Sequence, residues 1–128
     1  MRENNPSNEE QAVVLVVEDE TLIAEMVTDV LTEAGFKVCT VPTAADALRH
    51  FVNGMKPDIL FTDINLPGEM DGSVLAVCAR TLQPSLAVVY SSGRKGPDDV
   101  QKVPGSVFIP KPYSLTAMCG LFRDLARH

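Results

Sequence analysis

Three short apolar runs in this chain each lead to ionisable residues. Val13-Val14-Leu15-Val16-Val17 is followed by Glu18-Asp19, Ile59-Leu60-Phe61 leads through Thr62 to Asp63, and Val107-Phe108-Ile109 leads through Pro110 to Lys111. Uninterrupted runs of this length, rich in β-branched residues, suit strands buried on both faces. Between them the apolar spacing turns helical. Ile23, Met26, Val27, Val30, Leu31 and Ala34 fall on one stripe at i, i+3, i+4, i+7, i+8 and i+11. Strands that alternate with helices predict a parallel sheet covered by helices on both faces. All strands of such a sheet end on one edge. The runs then bring three carboxylates and one ammonium to one small pocket, which suits a divalent cation and a phosphoryl group.

The remaining elements follow from local signals. Strands are expected over 12–17, 37–41, 59–62, 86–91 and 107–109. The first helix is expected over 21–34 and is stopped by Gly35. Thr43, with Asp46 three residues on, caps a second helix whose inner face is Ala44, Ala47, Leu48 and Phe51. Asp71-Gly72-Ser73 opens a third, which runs to Leu82, and Ser114 caps the last. The last helix has the face Leu115, Met118, Leu121, Phe122 and Leu125. The segment 93–105 holds Gly93, Gly96, Pro97, Pro104 and Gly105 and has room only for a short helix over 97–103. Pro110 has no N–H to give, so the fifth strand is expected to end early. Residues 1–11 are polar and read as a disordered lead-in to one domain over 12–128. In a doubly wound sheet, ligands sit beyond the carboxyl ends of the strands, where the acids and the lysine fall.

Composition narrows the function. A chain of 128 residues makes one ordinary domain. A net charge of −6 disfavours general binding to nucleic acid or acidic lipid. Cys39, Cys78 and Cys119 are odd in number and widely spaced, so they read as buried, reduced thiols and not as a disulfide framework or zinc site. No apolar run reaches the roughly 18 residues of a membrane span, and a cytoplasmic protein is expected.

Each site residue has a plain alternative when taken singly. Glu18 and Asp19 suit a helix N-terminus, Asp63 suits a turn, Ser92 before Gly93 suits a loop, and Lys111 suits a surface. Their coincidence at four strand ends is what those readings leave unexplained. The motifs Val16-Val17-Glu18-Asp19-Glu20, Phe61-Thr62-Asp63-Ile64-Asn65-Leu66-Pro67-Gly68, Ser92-Gly93 and Lys111-Pro112-Tyr113, in this order and spacing, resemble the receiver domain of two-component response regulators. The resemblance covers residues 12–127. It implies a flavodoxin-like sheet in the order 2-1-3-4-5. It implies that Asp63 is the phosphoacceptor, that Ser92 and Lys111 bind the phosphoryl oxygens, and that Phe108 is the switching aromatic. It further implies Mg²⁺ held by Glu18, Asp19, Asp63 and the backbone carbonyl of Asn65, with a cis bond at Lys111–Pro112. Its partners are a sensor histidine kinase or phosphotransfer protein and a downstream protein, with no membrane or direct nucleic-acid contact.

Three features depart from the common pattern: Glu18 stands where Asp is more usual, the helix between the fourth and fifth strands is reduced, and Pro110 directly precedes Lys111. With no room for an effector domain, a stand-alone receiver that signals by protein contact is expected, catalysing only its own phosphorylation and dephosphorylation. A phosphate shuttle or sink within a phosphorelay is the alternative in the same family, with Arg94 and Asn65 at positions that tune lifetime. A small Mg²⁺-dependent phosphatase of the dehalogenase-like type would need an acid two residues after Asp63, where Asn65 stands. A nucleotide or flavin module would need a glycine loop, whereas Glu18-Asp19-Glu20-Thr21 is acidic and has none.

Overall fold

The computed structural model describes residues 11–93 and 102–127. Five strands, β1 (Val13–Val17), β2 (Lys37–Val41), β3 (Ile59–Asp63), β4 (Ala87–Ser92) and β5 (Val107–Pro110), form one sheet in the order β2-β1-β3-β4-β5. Every pairing is parallel. The helices are α1 (Thr21–Glu33), α2 (Ala44–Val52), α3 (Gly72–Leu82) and α4 (Leu115–Ala126). Most of the expected lead-in and of the expected short helix lie outside the described residues, as does Arg94. Gln11 is described, and its amide donates to the Gly35 carbonyl at 3.1 Å.

The alternation of side chains along each strand sorts the core into two layers. Leu15, Val17, Leu60, Val88 and Tyr90 pack with Ala44, Ala47 and Phe51 of α2 and Leu75, Ala76 and Ala79 of α3. Val14, Val16, Ile59, Phe61 and Val89 face the other way, onto Val27 and Leu31 of α1 and Met118 and Phe122 of α4. Phe122 meets Phe61 edge-to-face at 5.2 Å and Phe36 at 6.3 Å. The caps act as expected: Thr43 accepts from the Asp46 N–H, Asp71 from those of Ser73 and Val74, and Ser114 from that of Ala117.

Several expectations are corrected. Met26 lies on the flank of the α1 stripe and is 52% exposed, while Ala24, Val27 and Leu31 are the buried positions. The contact of α1 with the sheet is narrower than its apolar stripe. Cys119 is buried, but Cys39 and Cys78 are half-buried; all three are free thiols. Asp63 and Ser92 are the last residues of their strands and not the first residues beyond them. Pro110 does not end β5 early. β5 is an edge strand, and the next N–H, that of Lys111, donates to the Ser92 carbonyl at 3.1 Å. Backbone groups alternate in direction, so the nitrogen of Pro110 faces the open edge, where no hydrogen bond is lost.

One close approach fixes where β3 ends. A Cβ on Gly72 would run into the Asp63 carbonyl, with the Thr62 hydroxyl at 2.9 Å. The Gly72 N–H holds the Ile64 carbonyl at 3.0 Å. Gly72→Ala should therefore cost about 1–3 kcal/mol through forced backbone displacement, read from urea unfolding. A loss below about 0.5 kcal/mol, as at an unconstrained surface position, would show that the approach is not tight.

Candidate functional site

β1, β3, β4 and β5 end on one edge of the sheet. From β1 the chain runs out to β2 before returning to β3 on the other side, and this reversal opens a crevice between the two loops. The crevice gathers Glu18, Asp19, Asp63 and Lys111. Carboxylate oxygens of Glu18, Asp19 and Asp63 lie within 4.8 Å of one another. The Lys111 ammonium donates to Asp63 Oδ2 at 2.8 Å and to Glu18 Oε1 at 3.1 Å. Glu18 and Asp63 are buried, at 6% and 7% exposure, whereas Asp19 is exposed.

Backbone donors complete the carboxylates' coordination. The Asn65 N–H donates to Asp63 Oδ1 at 3.1 Å, and the Glu20 N–H to Glu18 Oε2 at 3.1 Å. The Asn65 side-chain amide reaches across to Ser92 Oγ at 3.0 Å. Ser92 therefore sits at the crevice with its hydroxyl accepting from Asn65. Phe108 lies apart from these contacts. It is half-buried against the layer that contains Tyr90. The Lys111–Pro112 bond is cis.

Burial raises the Glu18 carboxyl above its ordinary value, and the hydrogen bonds from Glu20 and Lys111 offset only part of that. Burial works to lower the Lys111 ammonium, but the bonds and charges of Asp63 and Glu18 outweigh it and leave the group raised. Lys111 thus stays charged throughout the physiological range. Tyr113 packs edge-on to Phe61 at 5.7 Å. Its phenol is pushed up to about 12, first by burial and then by the Glu18 charge. Three carboxylates against one ammonium leave a local charge of −2. Only oxygen ligands converge there, and both facts suit a hard dication such as Mg²⁺.

The sequence reading anticipated the acids and the lysine. It did not anticipate the Asn65 amide, the closeness of Gly72 to Asp63, or Tyr113 beside Glu18. Tyr113 had a signal in the motif Lys111-Pro112-Tyr113. The Asn65 contact had none, because it depends on how two loops face each other.

A doubly wound parallel domain with an acidic pocket at its switch point is the class that fold and site define. The sequence matches the response regulator receiver domain over residues 14–122, and the chain belongs to that family. It is 36% identical over 120 residues to a protein-glutamate methylesterase/protein-glutamine glutaminase of Archaeoglobus fulgidus, covering 89% of this chain and 34% of that protein. It is 29% identical to the transcriptional regulatory protein PrrA of Mycobacterium tuberculosis, covering 89% of this chain and 49% of that one. The chain thus spans half or less of either relative. Among solved structures, a response regulator receiver protein from Sinorhizobium medicae superimposes with a TM-score of 0.85 at 28% identity, covering 94% of this chain and 98% of that one. The receiver domain of the hybrid histidine kinase CckA does so at 0.77 and 25%, covering 90% and 99%. Receiver domains bind Mg²⁺ at an acidic pocket, and here the acidic cluster is Glu18, Asp19 and Asp63. Among the described residues no helix is long and apolar enough to cross a membrane.

The chain has two tyrosines and no tryptophan. Burial raises the phenol of Tyr90 as well as that of Tyr113. Alkaline titration by tyrosinate absorbance should therefore run late in the folded protein, with Tyr113 near 12, and return to about 10 in denaturant. The folded state holds these protons longer than the unfolded one, so stability should fall as pH rises through that window. A native midpoint near 10 for both phenols would mean that they are open to solvent.

Proposed function

We propose that the chain accepts a phosphoryl group on Asp63 from a histidine kinase or phosphotransfer protein, in a Mg²⁺-dependent reaction, and signals by protein contact. The observation that carries this reading is the ammonium of Lys111 set between Glu18 and Asp63. A carboxylate oxygen of Asp63 attacks phosphorus. The bond from phosphorus to the donor's imidazole nitrogen breaks, and its electron pair leaves with the imidazole. The Asn65 N–H orients the carboxylate through Oδ1. Lys111 then turns to the phosphoryl oxygens and offsets their charge, and Ser92 donates to one of them. Glu18, Asp19, Asp63 and the Asn65 carbonyl are the ligands proposed to hold the cation, which would supply positive charge against the phosphoryl and carboxylate groups.

Phe108 is proposed as the aromatic whose packing responds. A cytoplasmic location accords with a kinase as donor. Persistence of the acyl phosphate for hours would favour an effector, and loss in seconds a phosphate sink.

Incubation with acetyl phosphate and Mg²⁺ should add one phosphoryl mass to the intact protein, and Asp63→Asn should abolish the addition. Labelling that survives in the Asn variant would refute Asp63 as acceptor. Asp19 is exposed, so Asp19→Asn should leave the fold intact. It should slow Mg²⁺-dependent loading at least about tenfold, equivalent to roughly 1.4 kcal/mol. Unchanged loading at limiting Mg²⁺ would remove Asp19 from the cation site.

A further inference from the structure

β4 ends on two serines, and alternation turns their side chains to opposite faces of the sheet. Ser92 shares the face of Tyr90. Ser91 shares the face of Asp63 and stands directly opposite it in the register of β3 with β4. Adjacent strands lie about 4.8 Å apart, so paired side chains on one face are within reach of each other. Ser91 is 1% exposed. It lines a narrow gap with Glu18, Phe61, Asp63 and Tyr113 that is too small for a water molecule. Its carbonyl accepts from the Ile64 N–H at 2.9 Å. Its hydroxyl makes no hydrogen bond among the described residues.

Asp63, its register partner on β3, is a group whose coordination changes in the reaction. At rest each oxygen of the Asp63 carboxylate has a donor, Asn65 N–H on Oδ1 and Lys111 on Oδ2. When Lys111 turns to the phosphoryl oxygens, Asp63 loses that donor.

We propose that Ser91 is a positioning residue for the acyl phosphate: its hydroxyl donates to the Asp63 carboxyl group after Lys111 has left it, and so sets how fast the phosphoryl group is lost. The inference rests on Asp63 as phosphoacceptor. In hydrolysis, water attacks phosphorus and the bond from phosphorus to the Asp63 oxygen breaks. Its electron pair returns to the carboxylate. The acyl phosphate dianion and water become a carboxylate and dihydrogen phosphate, and both protons of the water stay on phosphate. Negative charge grows on the Asp63 oxygens as the bond breaks, so a hydroxyl donated there speeds departure. Loading moves charge off the same oxygens, so this donor gives it no help.

The test follows loss of the phosphoryl group by intact mass, after loading with acetyl phosphate and Mg²⁺ and removal of the donor. Ser91→Ala should lengthen the half-life about tenfold, the order expected from one hydrogen bond to a leaving oxyanion, while loading is not slowed. Ser91→Val, which fills the gap without a donor, should do the same. Ser91→Thr keeps the hydroxyl and should restore a lifetime close to that of the parent, which a role in packing alone would not require. Equal lifetimes in the parent and the Ala and Val variants, or shorter ones in those variants, overturn the role of Ser91 while leaving Asp63 as acceptor. A parent chain that takes up no phosphoryl group overturns both.

Discussion

An ammonium held between two buried carboxylates is the interaction around which this domain's edge is arranged. Lys111 reaches Asp63 at 2.8 Å and Glu18 at 3.1 Å. These residues come from three strands, with β3 and β5 separated by β4. Taking ions from water is costly, and it is offset only when partners and hydrogen bonds are well placed. The edge supplies them: two backbone N–H groups on the carboxylates and a pocket mouth open at Asp19. The lysine does not neutralise the site. The remaining charge of −2 leaves room for a dication, and the burial that raises Glu18 strengthens its attraction to one.

The resting bonds also limit how much a phosphoryl group can drive. New charge-assisted hydrogen bonds through Ser92 and Lys111 would contribute about 1.5–3 kcal/mol each if nothing were lost. At rest Lys111 already donates to Asp63 and Glu18, and the Ser92 hydroxyl accepts from the Asn65 amide. What acts on the conformational equilibrium is the difference between old and new partners. Full inversion of a two-state equilibrium from 1:99 to 99:1 needs about 5.5 kcal/mol. The exchange of partners falls short of that alone, so a partial shift completed by a binding partner fits the energetics better than an all-or-none switch.

How much of this was legible in the sequence depended on whether a feature is local. Strand order, both layers and the convergence of Glu18, Asp19, Asp63 and Lys111 follow from apolar runs, helical stripes and the family motifs. The caps at Thr43, Asp71 and Ser114 were equally plain, because each is a contact over two or three residues. Illegible were features set by packing between distant segments. The exposure of Met26 depends on how narrowly α1 sits on the sheet. The place of Pro110 within β5 depends on that strand being an edge. Ser91 escaped notice because it stands beside Ser92, and only the register with β3 separates the roles of the two hydroxyls.

Register also constrains the proposed switching aromatic. Phe108 pairs with Tyr90 across β4 and β5 and shares its face. Tyr90 is fully buried, and its hydroxyl accepts from the Val103 N–H at 3.1 Å. The Ser106 hydroxyl donates to the Val103 carbonyl at 2.7 Å, tightening the turn that leads into β5. Phe108 is therefore half-buried against a ring that is itself fastened to the backbone five residues earlier. Close-packed interiors do not yield by degrees. For Phe108 to move inward, Tyr90 must turn aside or the turn at Val103 must shift with it. A signal that begins at Ser92, two residues beyond Tyr90 on the same strand, would then leave the site through the β4–β5 pair and the turn tied to it, and not through Phe108 alone.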